Sequence, residues 1–243
     1  HFCHDFTEHS RQVDRQLNSS DHANRVQALF GDLAPSYDFL NRLFSLGLDI
    51  GWRRKLLSSI CPLHPKKALD LACGSGDVTL LLQNGLPEAD VIGLDFCAPL
   101  LARAKARGVR KTVEGDALNL PFPQHSFDLV TLAFGLRNFA DRPKGLSEIY
   151  RVLQPSGVFA LLEFSPPPFP WKFFWNFYLF YFMPWIAQLL SRQGDSFRYL
   201  ARSISQFPAP SDLCHELHQA GLKLLFTRSM SLGLVRLTVT RKI

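Results

Sequence analysis

The chain has 243 residues, 47% of them hydrophobic, and carries 27 Lys and Arg against 21 Asp and Glu for a net charge of +6. That length suits one α/β domain with an appendage, large enough for a full core without staples. The five cysteines, Cys3, Cys61, Cys73, Cys97 and Cys214, lack C-x-x-C spacing, which argues against a disulfide framework or a zinc site and for a reducing cytoplasm.

The positive charge is spread along the chain, with short clusters at Arg53-Arg54-Lys55 and Arg241-Lys242. It permits contact with an anionic membrane or RNA and requires neither. Residues 1–22 read as a flexible terminus, since His1 to Asn18 is polar and charged and shows no signal-peptide pattern. Opening on His1 instead of methionine reads as a processed or truncated start. His1, Cys3, His4 and His9 could ligate a metal on paper, but a mobile polar terminus is the simpler expectation, and no metal is expected.

Residues 23–62 are expected to hold short helices, because Val26, Leu29, Phe30, Phe39, Leu40, Leu43 and Phe44 recur at helical spacing and Pro35 and Gly47 interrupt them. Strands are then expected at Lys67–Ala72, Val91–Phe96, Arg110–Glu114, Phe127–Phe134 and Val158–Phe164. Helices are expected at Asp77–Gln83, Pro99–Arg107 and Pro143–Leu153, the last closed by Pro155-Ser156-Gly157. This alternation predicts a parallel sheet. Two later strands, Lys223–Arg228 and Leu234–Arg241, are joined by a turn too short for a crossover, so one strand should be reversed.

Residues 166–207 form an insertion whose stretch Trp171 to Leu190 is dominated by aromatic rings and contains Pro184. It is barely long enough to span a bilayer, which takes about 20 apolar residues. A buried core helix and a surface or cavity for a long apolar ligand are the other two readings.

The chemistry is concentrated in Leu69-Asp70-Leu71-Ala72-Cys73-Gly74-Ser75-Gly76-Asp77 and in Asp95, which follows Gly76 by 19 positions. A strand that stops at a Gly-x-Gly turn brings bare backbone to a ligand, and an acid about 20 residues on can hold a ribose diol. The pattern departs from a dinucleotide site, because Thr79 replaces the third glycine. Asp77 would also repel a pyrophosphate. S-adenosylmethionine, with its sulfonium and ammonium, suits Asp70, Asp77 and Asp95 better. An ordinary strand-to-helix turn with a helix-start acid is the bland alternative.

With these motifs in place, the chain resembles the ubiquinone/menaquinone biosynthesis C-methyltransferases from about Val26 to Lys242. The resemblance rests on Phe30-x-x-Leu33-Ala34-x-x-Tyr37-Asp38, Trp52-Arg53, Asp70 to Asp77, Phe134-Gly135-Leu136-Arg137-Asn138 and Glu148-x-Tyr150-Arg151-Val152-Leu153. Leu162-Glu163-Phe164-Ser165 and the late Asp195-Ser196-Phe197 add to it. It implies a Rossmann-like class I methyltransferase, with a mostly parallel seven-stranded sheet and one antiparallel strand. It further implies a methyl group moved from S-adenosylmethionine to a ring carbon of a polyprenylated quinol, either demethylmenaquinol or the ubiquinone precursor.

The resemblance assigns Gly74, Ser75 and Gly76 to the methionine portion and Asp70 to its ammonium. Asp95 falls to the ribose hydroxyls, Asp116 and the Ala117 N–H to adenine, and Phe96 to a cover over the base. Arg137 would stabilise a phenolate, Asn138 would bond the second ring oxygen, and Tyr37 would close over the ring or move the proton. An ion pair between Arg137 and Asp141 is the structural alternative. Cys73 stands where many relatives have glycine, which a small thiol can replace if the backbone there is unstrained. A histidine that relatives often carry after a late glycine-rich turn is missing near Gly233.

The expected setting is cytoplasmic, peripheral at the inner face of the membrane, without nucleic acid and with a homodimer left open. Two rivals are an RNA methyltransferase, which should lose RNA affinity steeply with salt, and a non-catalytic quinone-binding protein, which should not bind S-adenosylmethionine.

Overall fold

The computed structural model describes residue 42, residues 45–166, residues 171, 175, 177 and 199, and residues 202–243. Tyr37, residues 1–22 and most of the Trp171 to Leu190 run lie outside the described residues. Helix α1 (Leu48–Ile60) leads into β1 (Lys67–Leu71), α2 (Asp77–Gly85), β2 (Asp90–Asp95), α3 (Ala98–Ala106) and β3 (Thr112–Glu114). Then follow β4 (Phe127–Ala133), α4 (Arg142–Val152), β5 (Leu153–Phe164), α5 (Pro210–Gln219), β6 (Leu222–Met230) and β7 (Val235–Lys242).

These strands form one seven-stranded sheet in the order β3-β2-β1-β4-β5-β7-β6. β7 pairs antiparallel with both β5 and β6 and is the one reversed strand, as the short connection requires. The central strands bury both faces. Ala68, Leu129, Val158, Ala160, Leu162 and Leu237 pack with Trp52, Leu56 and Ile60 of α1 and Val78 and Leu82 of α2. Leu69, Leu71, Val130, Leu132, Phe159 and Leu161 pack with Leu146 and Ile149 of α4 and Leu213 and Leu217 of α5. Strands apolar on both faces are what a covered parallel sheet demands.

Two expectations are corrected. Pro155-Ser156-Gly157 does not close α4. That helix ends at Val152, β5 begins at once at Leu153, and the tripeptide is a bulge within the strand, with Ser156 at φ 63 and a register shift against β4. Helix α5 was not expected. Its signals were present in Pro210 at the start, Asp212 in the first turn and Leu213 and Leu217 four apart on one face.

The β1–α2 turn is fixed by close packing. Gly76 has φ 87, and a Cβ there would lie 2.5 Å from Val109 Cγ2 and 3.1 Å from Ala104 Cβ, so α2 starts against the end of α3. Gly76→Ala combines left-handed strain with overpacking and is expected to cost about 2–5 kcal/mol. Urea denaturation measures it, and a loss under about 1 kcal/mol would show that the turn relaxes freely.

Candidate active site

The carboxyl ends of β1, β2 and β4 meet at one cavity. Ala72 and Gly74 line it from the β1 turn, Asp95 and Phe96 from the end of β2, and Asp116 and Ala117 from the segment after β3. Phe134, Gly135, Asn138 and Phe139 line it from the segment after β4. Open α/β sheets place ligands at this edge.

Asp95 is the hinge of the site. Its Oδ2 accepts the Gly74 N–H at 2.8 Å and its Oδ1 accepts the Cys97 N–H at 2.9 Å. Burial pushes its carboxyl up from the ordinary range, and these backbone N–H groups pull it back down.

Asp70 lies beneath the turn, almost fully buried. Its Oδ2 accepts the Thr79 hydroxyl of α2 at 2.6 Å and its Oδ1 the Thr131 hydroxyl of β4 at 2.9 Å. Desolvation raises its pKa to about 6, against the two hydroxyl bonds and the positive charge of Arg53. Asp70 therefore joins three elements as well as lying under the cavity. The turn itself needs no glycine at Cys73, which has an ordinary φ; the left-handed residues are Ala72 (φ 53), Gly74 (φ 55) and Gly76. Gly93 of β2 leaves room for the thiol, because a Cβ there would stand 3.0 Å from Cys73 Sγ.

The other expected residues divide. Asp116 and Ala117 line the cavity, and Asp116 Oδ1 also accepts the Leu118 N–H at 2.8 Å, so the carboxylate shapes its own turn. Ser75 and Gly76 sit behind the lining, where Arg107 Nη1 donates to the Ser75 carbonyl at 2.9 Å and to its hydroxyl at 3.0 Å. Asp77 is already neutralised by Arg107 at 2.6 Å and Arg53 at 3.2 Å, which leaves the cavity's negative charge to Asp95 and Asp116.

Arg137 and Asn138 part company. Asn138 faces the cavity, and its Oδ1 accepts the Tyr199 hydroxyl at 3.2 Å. The Arg137 side chain is only 7% exposed and pairs with Glu163 at 2.8 Å. It also donates to the Phe134 carbonyl and lies 5.3 Å over the Phe164 ring. Its ion-pair partner is thus Glu163 and not Asp141, which caps α4 by accepting the Lys144 N–H at 2.9 Å. Phe134 itself has φ 58. The Arg137 bond to its carbonyl holds that strained corner.

Sequence reasoning missed the aromatic wall beside Phe134. Phe134 and Phe164 lie 4.8 Å apart by ring centroid, Trp52 of α1 lies 6.0 Å from Phe134, and Trp175 stacks on Phe164 at 6.5 Å. Trp52 is anchored by its Nε1–H to Ser231 Oγ at 2.9 Å. A Trp beside Arg53 is visible in the sequence, but nothing local announces its partners, Phe134 just after β4 and Phe164 on β5. Among the described residues no cluster of three His, Cys, Asp or Glu side chains could hold a metal.

The cavity joins the buried strand-end acid Asp95 and a second acid, Asp116, to an apolar rim, a lining that suits a cationic nucleoside. Solved structures share the fold. An S-adenosylmethionine-dependent methyltransferase of Thermotoga maritima aligns over 89% of this chain and 99% of its own, with TM-score 0.64 and 17% identity. One from Mesorhizobium loti aligns over 81% and 100%, with TM-score 0.59 and 19% identity. In sequence, a demethylmenaquinone methyltransferase of Thermus thermophilus is 45% identical over 206 residues, covering 82% of this chain and 93% of that protein. One from Deinococcus radiodurans is 39% identical over 232 residues, covering 93% and 95%. The model of the ubiE/COQ5 methyltransferase family matches residues 18–242. The chain belongs to the ubiE/COQ5 methyltransferase family.

Proposed function

We propose that this methyltransferase moves the methyl group of S-adenosylmethionine to a ring carbon of a polyprenylated demethylmenaquinol, or of the matching ubiquinone precursor. The observation that carries the reading is the Asp95 carboxylate, held by two backbone N–H groups at the end of β2 while it lines the cavity. In that position it accepts both ribose hydroxyls. Asp116 and the Ala117 N–H read the adenine edge, Phe96 covers the base, and Gly74 lets the methionine portion approach the backbone. Asp70 supplies negative charge from below.

The acceptor ring lies against the wall of Phe134, Phe164, Trp52 and Trp175. A neutral phenol is a weak carbon nucleophile, and with a pKa near 10 only about one in a thousand is ionised at pH 7. The enzyme's contribution is to hold methyl and carbon in line, which supplies several of the roughly 7–11 kcal/mol available from proximity, and to stabilise the phenolate. Asn138 faces the cavity and bonds a ring oxygen, and Tyr37 closes over the ring. Arg137 acts on the phenolate when a substrate oxygen competes with Glu163 for its guanidinium, and it positions Phe134 meanwhile.

In the cellular setting the substrate's tail puts the enzyme at the inner face of the membrane. No described helix is long and apolar enough to cross a bilayer.

The direct test uses methyl-labelled S-adenosylmethionine and a tailed demethylmenaquinol under reducing conditions. Label on a ring carbon is the expected product, and label only on oxygen, or none, counts against the reading. Supplying the ubiquinone precursor in parallel decides between the two rings.

Asp95→Asn keeps one acceptor but loses the charge-assisted bonds, each worth about 1.5–3 kcal/mol. The dissociation constant for S-adenosylmethionine is expected to rise about 10- to 100-fold by calorimetry, and unchanged affinity would remove Asp95 from the ribose site.

Asp70 predicts a pH signature. Its folded pKa of about 6 stands above the unfolded value of 3.8, so the native state binds the proton more tightly and this group's contribution falls as pH rises from about 4 to 6. Asp70→Asn removes that slope, worth up to about 3 kcal/mol. Unfolding free energies of the two proteins should therefore diverge between pH 4 and 7, with the variant gaining. Parallel curves would show that Asp70 is not held against its charge.

A further inference from the structure

Strand β6 ends the sheet, its outer edge unpaired among the described residues, and is exposed from Lys223 to Ser229. Three consecutive apolar residues stand there at 42% (Leu224), 41% (Leu225) and 38% (Phe226) exposure. Long apolar edge strands are an aggregation hazard, and this one is flanked only by cations. No Asp or Glu follows Glu216, while Lys223, Arg228, Arg236, Arg241 and Lys242 do. Lys242 is buried, its Nζ donating to the carbonyls of Tyr150 at 2.6 Å and Leu153 at 2.8 Å, and Arg236 donates to Thr227 Oγ1 at 3.2 Å.

Lys223, Arg228 and Arg241 remain exposed, and among the described residues their side chains have neither an ion pair nor a hydrogen bond. The register sets Lys223 directly opposite Arg241, and Phe226 opposite Val239 and Arg228 opposite Leu237 on the same face. Like charges facing each other across a sheet cost stability. An anion lying over that face would relieve the cost, and an apolar phase beside it would cover Phe226.

We propose that the β6 edge, through Lys223, Arg228, Arg241 and Phe226, docks the enzyme on an anionic lipid surface. This rests on the reading above that the acceptor carries a polyprenyl tail and therefore sits in a bilayer. Headgroup phosphates neutralise the three cations while Phe226 and Leu225 enter the interface. A second copy of the chain fits the edge poorly, because antiparallel self-pairing centred between Leu225 and Phe226 brings Lys223 of one copy against Arg228 of the other. β6 runs opposite to β7, which runs opposite to β5. Its Met230 end is therefore on the same side of the sheet as the carboxyl ends that form the cavity, and an edge-on approach leaves the cavity near the lipid.

The test is co-sedimentation of the full chain with vesicles of equal phosphatidylglycerol and phosphatidylcholine, beside vesicles of phosphatidylcholine alone. Binding at least about ten-fold tighter to the anionic vesicles and weakened by salt is expected, and the double variant Lys223→Glu, Arg228→Glu should lose about ten-fold or more. Phe226→Ser should lose several-fold. Equal binding to both vesicles, or full binding by the double variant, overturns the proposal. So does a dimer in sedimentation equilibrium that the double variant dissociates, since the edge would then belong to a second copy.

Turnover of a short-tailed, water-soluble demethylmenaquinol separates this from the functional reading. The double variant should match the parent on it and fall behind on the vesicle-embedded substrate. If the parent methylates neither this quinol nor the tailed acceptors of the direct test, the proposed reaction fails; if it methylates them and vesicle binding is absent, only the docking proposal does.

Discussion

The hydrogen bond from the Gly74 N–H to the Asp95 carboxylate, 2.8 Å long, is the constraint on which the site depends. It ties the turn after β1 to the end of β2, so the two strands that flank the cavity cannot drift apart without leaving a buried charge unsatisfied, at a cost of about 1–3 kcal/mol or more. The second oxygen of Asp95 is spent on the Cys97 N–H, which starts α3. A ligand that bonds this carboxylate meets a group already oriented by the fold.

Asp70 extends the same logic one layer down. Thr79 and Thr131 reach it from α2 and β4, so a charge disfavoured by burial is held in place by neutral donors instead of a cation in contact. A salt-bridged carboxylate would be more stable and less useful, because its field would already be cancelled. Here the field remains for a cationic ligand above the turn. The arginines nearby, Arg53 and Arg107, are drawn to Asp77, whose charge is cancelled for that reason.

Much of this was legible because it is local. The strands of a covered parallel sheet read as apolar runs, and the Gly74 to Gly76 turn with Asp95 reads from spacing alone. Tertiary pairs leave no such mark. Arg137 finds Glu163 and Asp70 finds Thr131 across strands that become neighbours only in the folded sheet, and the acid nearer in sequence, Asp141, caps α4 instead of pairing with Arg137. Pro155-Ser156-Gly157 is equally good as a helix stop or a bulge, and the register with β4 decides it. The strained corners at Ala72 and Phe134 were unreadable for a related reason. Neither residue type favours a left-handed φ, so only the packing that imposes it reveals it.

The distribution of charge joins the two ends of the molecule's chemistry. Carboxylates gather where β1 and β2 end, and the exposed cations Lys223, Arg228 and Arg241 stand on β6 and β7, toward the other edge of the sheet. A cationic cofactor is drawn to the first region and an anionic surface is repelled by it. The same surface is attracted to the second. With a Debye length near 8 Å in physiological salt, each field acts mainly on what lies next to it, so the two do not cancel across the sheet. The proposed docking would turn that cationic edge to anionic lipid and leave the strand ends open, as a water-soluble donor and the proposed tailed acceptor together require.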